Sequence, residues 1–562
     1  MRPQNNPLRS FVEIKGPWKV RFEGGRRTYN IPASSSWNEI FPEKRDFLGP
    51  ASYTVKFRKP APANGRATYI RFGSVNYIAK VSVNGRYLGM HEGGHLPFEF
   101  GIPARLLKRT NILSVEIDGR LAPDRVPPGN VIYDSKDAFA NSQYPATSFD
   151  FFPYCGIHRK VCICTRPISG IDDITVRTSI KGKDGIVTAA ILAPFSGGVK
   201  ARFEMAGVAV EVPVKHCKAS AVLKIKNARL WAPGKPELYD LKVTLTGYGR
   251  KLDEYTLPVG VRTVSIKGSS IRINNKPVFL KGFGRHEDYP GKGRGFDPEW
   301  NKVDFKNLLW TGANSFRTSH YPYDEEQMDM ADRLGIMVID ETPAVGMYFN
   351  DDGLEKREKL CRQYVRELIA RDKNHPSVIM WSLANEPFSN RPEAGRFFKS
   401  LAGLAHSLDS TRPATIASYL GAGEEAFNYL DVVCVNRYMG WYTEQGRLDL
   451  ALPKLSKDLD AIYKKFKKPV IISEFGADAL PGLRSKNPEM FTEDYQKAMI
   501  KAYVELAAKK PYIAGTHVWN LCDFKTGQGV HRPGGMNWKG VFTRNRRLKL
   551  AARFLRKYWK GR

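Results

Sequence analysis

Asn374-His375-Pro376-Ser377-Val378-Ile379-Met380-Trp381-Ser382-Leu383-Ala384-Asn385-Glu386-Pro387 is the stretch that decides the fold. Residues 377–383 form a short apolar run rich in β-branched and aromatic side chains, with Pro376 before it and Pro387 just beyond it. Such a run reads as a strand buried on both faces, as in a parallel sheet. The polar pair Asn385-Glu386 falls where the strand ends. In a parallel β/α barrel the active site lies at the carboxyl ends of the strands, so a carboxylate there is a catalytic candidate.

Lys468-Pro469-Val470-Ile471-Ile472-Ser473-Glu474-Phe475-Gly476 has the same form, an apolar run ending in a glutamate. The interval from Glu386 to Glu474 leaves room for roughly three further strand–helix units of about 30 residues each. Two glutamates on one barrel rim suit glycoside hydrolysis, in which one acid protonates the leaving oxygen and the other carboxylate attacks the anomeric carbon or activates water. Either glutamate alone could equally cap a helix or pair with an arginine. The pair is harder to explain that way.

Outward from these two stretches, residues 265–562 alternate strand and helix patterns. Strand candidates are Phe279–Gly282, Ser315–Thr318, Ile336–Ile339, Val378–Leu383, Val432–Val435, Val470–Ile472 and Ile513–Val518. Between them, Leu360, Tyr364 and Leu368 recur every four residues, as a helix requires. This alternation fits an eight-fold (β/α)8 TIM barrel. Residues 1–165 instead show short alternating runs (Ala51–Phe57, Ala67–Phe72, Ala79–Val83, Ile112–Ile117) separated by Gly, Pro and Asn turns, including the hairpin signal Asn84-Gly85. That texture fits an N-terminal β jelly roll. Residues 166–264 carry further short strands and fit an immunoglobulin-like β-sandwich without a catalytic constellation. His91-Glu92-Gly93-Gly94-His95 matches a zinc-binding pattern, but two glycines oppose the helix that would put both histidines on one face.

The 562 residues carry a formal net charge of +31, with 42% hydrophobic and 26% charged residues. The length exceeds what one core supports. No run of 18 apolar residues exists, so no membrane-spanning helix is expected. The opening Met1-Arg2-Pro3-Gln4-Asn5-Asn6-Pro7 lacks the apolar core of a signal peptide, so a cytoplasmic location is expected. The seven cysteines form no framework and read as reduced and structural. The charge attracts polyanions in general, and much of it gathers in residues 523–562. There Leu548, Ala551, Ala552, Leu555, Tyr558 and Trp559 also recur at helical spacing, so the segment packs as well. A solvated basic face and a polyanion site both remain open.

Polar and aromatic residues crowd the strand ends: Arg285-His286-Glu287-Asp288, Arg317-Thr318-Ser319-His320-Tyr321, Asn436-Arg437-Tyr438, Trp441-Tyr442 and Trp519-Asn520. Rings beside carboxylates suit a sugar, whose apolar face stacks while its hydroxyls take hydrogen bonds. Together with Gly282-Phe283-Gly284-Arg285-His286-Glu287-Asp288, the run from Gly312 to Tyr323 and the two glutamate motifs, these residues resemble glycoside hydrolase family 2, and within it the β-glucuronidases. The likeness covers nearly the whole chain. It implies three domains, a retaining mechanism without metal or organic cofactor, and a homo-oligomer (dimer or tetramer).

By motif, the resemblance implies Glu386 as general acid/base, Glu474 as nucleophile, Asn385 on the sugar 2-hydroxyl and Tyr438 steadying the nucleophile. It places His320, Tyr442 and Trp519 in the sugar pocket and Asp150, from Ser148-Phe149-Asp150-Phe151-Phe152, as a sugar contact sent in from the jelly roll. Asn537-Trp538-Lys539 resembles the family's stretch whose Asn and Lys bind a uronate carboxylate, with Arg532 a further contact. A buried carboxylate needs such charge-assisted donors. The substrates so implied are β-glucuronides, extending to acidic oligosaccharides, with no nucleic acid or membrane partner. Two departures accompany the match. Met536 makes the step from Arg532 to Asn537 one residue longer than the family's pattern, and the chain between Val345 and Leu360 is short, which predicts an open leaving-group side. A β-galacturonidase or another family 2 glycosidase is the nearest alternative, and a non-catalytic polyanion-binding protein the alternative of another class.

Overall fold

The computed structural model describes residues 1–60, 65–129, 144–145, 147–349 and 353–561. Part of the short segment after Val345, residues 350–352, lies outside the described residues.

Eight parallel strands close into a barrel: β1 (Leu280–Gly284), β2 (Ser315–Arg317), β3 (Met337–Glu341), β4 (Val378–Asn385), β5 (Ala414–Ser418), β6 (Val433–Asn436), β7 (Val470–Glu474) and β8 (Ile513–Val518). The central stretch of the sequence is β4, buried at every position. Seven of the eight match the runs read from sequence to within a few residues; β5 was not among them. Its five residues, Ala-Thr-Ile-Ala-Ser, are too small and polar to stand out as an apolar run, and its strand state is set by pairing with β4 and β6.

Side-chain alternation explains how the barrel is filled. Phe316, Val338, Val433, Val435 and Val470 belong to the core shared with the outer helices. Leu280, Met337, Ile339, Met380, Cys434 and Ile471 form a separate cluster with Ile271, Ile273 and Trp231. The short hairpin Val264–Lys267 and Ser270–Ile273 thus stoppers the amino-terminal end of the barrel with Ile271 and Ile273. Toward the other end the filling turns polar: Ser315 bonds His517 at 2.9 Å, and Ser382 donates to Glu341 at 2.8 Å. The carboxyl-terminal rim is therefore the end equipped for chemistry.

Local signals set the surrounding helices. Pro298–Thr311 begins at Asp297, whose carboxylate accepts from the N–H groups of Glu299 and Trp300, and ends at Gly312 in the left-handed conformation. The predicted periodic segment lies in the helix Leu354–Asp372, where Leu360, Tyr364 and Leu368 face inward. The basic C-terminal segment ends in the helix Leu550–Lys560, which buries Ala551, Ala552, Leu555 and Trp559.

The N-terminal jelly roll packs a six-stranded against a four-stranded antiparallel sheet around its own core, with Asn84 and Gly85 at positive φ in the turn joining Ile78–Val83 to Arg86–Glu92. His91 lies within that second strand, not on a helix. Three- and four-stranded sheets make the immunoglobulin-like sandwich. All seven cysteines are free; six are buried and Cys217 is exposed. Among the described residues no helix is long and apolar enough to cross a membrane.

Candidate active site

Glu386 follows the last residue of β4, and its backbone N–H donates to the Ala417 carbonyl on β5 at 2.7 Å. Glu474 ends β7. Asn436 at the end of β6 connects their surroundings. Its amide donates to Glu386 Oε1 at 2.8 Å and to Asn385 Oδ1 at 3.2 Å, while its oxygen accepts from Ser473, the residue before Glu474, at 2.8 Å.

Arg317 at the end of β2 is fully buried and spans the floor of the site. One guanidinium nitrogen donates to both oxygens of Glu341 at 2.7 Å and approaches Asn385 Oδ1 at 3.4 Å; the other donates to Glu474 Oε1. Tyr438 donates to the second oxygen of Glu474 at 2.7 Å. His320 lies between Glu341 (3.1 Å) and Glu474 (3.8 Å) and stacks on Trp519 with ring centroids 4.8 Å apart. A Cβ on Gly284 would meet the Trp519 ring at 2.5 Å, so β1 must end in glycine to seat that indole.

Burial sets the protonation of this cluster. Desolvation pushes Glu474 up to about 8, with the charge of Glu386 adding to the rise while Arg317 and Tyr438 oppose it. Glu386 is raised as well, first by burial and then by Asp150 and Glu341, against Asn436 and Arg317. Glu474 holds both a guanidinium and a phenol donor, whereas Glu386 has one neutral amide, so of the two Glu474 is better equipped to carry a negative charge. Burial and Arg317 hold His320 well below the usual histidine range, so it is a neutral imidazole.

A second cluster adjoins the first. Lys539, fully buried, pairs with Asp478, donates to the Tyr442 hydroxyl at 3.0 Å, and lies 5.8, 5.1 and 4.9 Å from the ring centres of Tyr438, Trp441 and Tyr442. Arg532 donates to Tyr442 at 2.9 Å and through Nε to Asp150 at 2.8 Å; Asn537 donates to Asp150 at 2.9 Å. The extra residue at Met536 does not carry Arg532 away: Met536-Asn537 forms a short strand against Phe524–Lys525. Asp150 reaches the rim because Phe149 and Phe151, on either side of it, are buried in the barrel core.

Every site residue read from the sequence thus belongs to one connected network. Four principal members were not read as site residues: Arg317, Glu341, Asn436 and Asp478. Glu341 ends the run Met337-Val338-Ile339-Asp340-Glu341, the same form as the other two glutamate strands. Its carboxylate is wholly enclosed by Arg317, His320 and Ser382, which leaves it no access to a substrate.

A parallel barrel with paired carboxyls, an arginine and stacked rings at its carboxyl-terminal rim defines a glycoside hydrolase. Family models bear this out: the TIM barrel domain of glycosyl hydrolases family 2 matches residues 264–561, the family's sugar binding domain residues 15–167, and a third family 2 model residues 170–262. The β-glucuronidase of Mus musculus is 39% identical over 99% of this chain and 92% of its own length. A β-D-glucuronidase structure from Dictyoglomus thermophilum superposes with a TM-score of 0.91 at 39% identity, covering 100% of this chain and 99% of that one. Ruminococcus gnavus β-glucuronidase, in complex with D-glucaro 1,5-lactone, superposes with a TM-score of 0.93 at 34% identity, covering 100% and 99%. The chain belongs to glycosyl hydrolases family 2.

Proposed function

We propose that this protein is a retaining exo-β-glucuronidase, with Glu386 as general acid/base and Glu474 as nucleophile. The observation that carries the reading is the position of Tyr438, whose hydroxyl meets Glu474 while its ring lies 5.8 Å from the Lys539 ammonium. Tyr438 therefore adjoins both a carboxylate suited to attack and a buried cation. The name and bound lactone of the Ruminococcus gnavus relative support the same substrate class.

In the first step Glu386 gives its proton to the leaving oxygen as Glu474 forms a bond to the anomeric carbon; in the second, Glu386 takes a proton from water, which displaces Glu474. Before reaction the proton rests on Glu386 and the charge on Glu474, as their donors favour. Asn385 contacts the 2-hydroxyl, where a bond strengthens as the ring gains oxocarbenium character. His320 and Trp519 wall the sugar, Tyr442 and Asp150 contact it, and Asn537, Lys539 and Arg532 grip the uronate. No step uses a metal or organic cofactor.

Hydrolysis of a panel of para-nitrophenyl glucuronide, galacturonide, galactoside, glucoside and mannoside tests the assignment. The glucuronide should dominate, and proton NMR should show the β-anomer released first. Dominance of the galacturonide would shift the substrate to the 4-epimer. Salt-dependent polyanion binding without hydrolysis of any uronide would replace the enzyme reading altogether.

A further inference from the structure

Next to Glu386 lies an aromatic corner that the chemistry above does not use. Phe388 is two residues past Glu386, and its N–H donates to the Met347 carbonyl at 2.9 Å. One face of its ring stacks on Tyr348, centroids 4.7 Å apart and planes 14° apart. Tyr419 follows the end of β5 and stands nearly perpendicular to Phe388, at 6.2 Å and 76°. Phe388 is 37% and Tyr419 42% exposed, although large apolar rings this near a barrel rim are easily buried.

The corner also lies close to the chemistry. The Glu386 N–H bonds Ala417, two residues before Tyr419. The Tyr419 hydroxyl is pushed up to about 12, by burial first and by the charge of Glu386 second.

We infer that Phe388 and Tyr419, with Tyr348 as backing, form the leaving-group subsite, and that they select leaving groups with a flat apolar ring face. Two sources share that chemistry: an aryl ring, and the apolar face of a second pyranose in an acidic oligosaccharide. Stacking of the ring on Phe388 holds the glycosidic oxygen toward Glu386, while the edge of Tyr419 limits its tilt. The inference rests on the assignment of Glu386 as the acid.

Kinetics with three β-glucuronides test it: an aryl glucuronide, a glucuronide whose leaving group is a pyranose, and methyl glucuronide, which has no ring to stack. Phe388→Ala and Tyr419→Ala should each raise KM for a ring-bearing substrate by about 3- to 10-fold, the worth of an aromatic contact. Methyl glucuronide should be nearly unaffected. Phe388→Leu, which keeps bulk without a stacking face, should behave like Phe388→Ala and guards against a folding artefact. A loss confined to the aryl substrate identifies that source, a loss confined to the pyranose the other. Equal losses on all three, or no loss on any, would overturn the subsite. If wild type cleaves no β-glucuronide, the reading of the active site fails and not the subsite alone.

Discussion

Lys539→Met removes the buried ammonium while keeping most of the stem, and its consequences for folding and for specificity can be separated. In the folded protein Asp478 would lose its main partner, retaining the Trp538 N–H at 2.7 Å and Arg532 at 3.5 Å. Stranding one member of a buried ion pair costs about 3–5 kcal/mol; the remaining Arg532 contact favours the lower end. Asp478→Asn combined with Lys539→Met should recover most of that loss, because no charge is then stranded. The catalytic effect is distinct. A hydrogen bond to a charged group is worth about 1.5–3 kcal/mol, which at about 1.4 kcal/mol per factor of ten is roughly a 10- to 150-fold loss in kcat/KM on para-nitrophenyl glucuronide. The corresponding glucoside has no carboxylate to lose, so the ratio of the two activities should move by that whole factor. Urea unfolding measures the first effect, and paired kinetics on both the single and the double variant measure the second. If Lys539→Met lowers both substrates by the same factor, Lys539 is a structural cation and the uronate assignment is wrong.

Other expectations follow from the carboxyl network. Glu474→Ala should abolish turnover of every substrate, whereas Glu386→Gln should spare the first step for good leaving groups and slow it for poor ones; equal losses in pre-steady-state glycosylation would contradict that division of roles. Burial raises the Glu386 carboxyl above its unfolded value, so its contribution to stability is present at low pH and is lost as pH rises through the folded value. Glu386→Gln does not titrate, so its Tm relative to wild type should improve from pH 5 to pH 8 in a thermal scan; a pH-independent difference would contradict the buried-charge account. Arg317→Met leaves Glu341 and Glu474 without their shared cation, so stability should fall by about 3–5 kcal/mol near pH 7. The loss should shrink at pH 5, where the stranded carboxyls take up protons; a denaturant midpoint shift equal at both values would argue against stranded charge.

The parts of the fold that were legible in the sequence are those where period and burial coincide. Val378–Leu383, apart from Ser382, and Val470–Ile472 are apolar because both strand faces are covered. Ala414–Ser418 was not legible because small side chains carry no such pattern. The glutamates stood out by ending apolar runs, yet the same rule also selects Glu341, and only the three-dimensional contacts of Arg317, His320 and Ser382 separate a structural carboxylate from an accessible one. Asp478 gave no local signal, since its partner Lys539 is remote in sequence and the pairing exists only once the chain after β8 folds back over the rim.

The basic C-terminal segment shows how far net charge alone can mislead. As a sequence, its cations could serve a polyanion or simply face solvent. In the fold, Arg532 pairs with Asp150, Lys539 with Asp478, Arg544 with Asp288 and Glu39, Arg546 with Asp304, and Lys549 with Asp523. Lys539 and Lys549 are almost wholly buried, and Arg546 nearly so. Cations enclosed in this way are not available to a long-range field, and each needs its own acid because a buried unpaired charge would destabilise the fold by several kcal/mol. These acids come from the jelly roll, from the helix Pro298–Thr311 and from the loops that follow the barrel strands. The segment thus ties the distant parts of the chain to the rim, and two of its cations lie beside Tyr442 as a consequence of that tie. The run of cations that invites a polyanion reading is in part the means by which the cluster around Tyr442 is assembled.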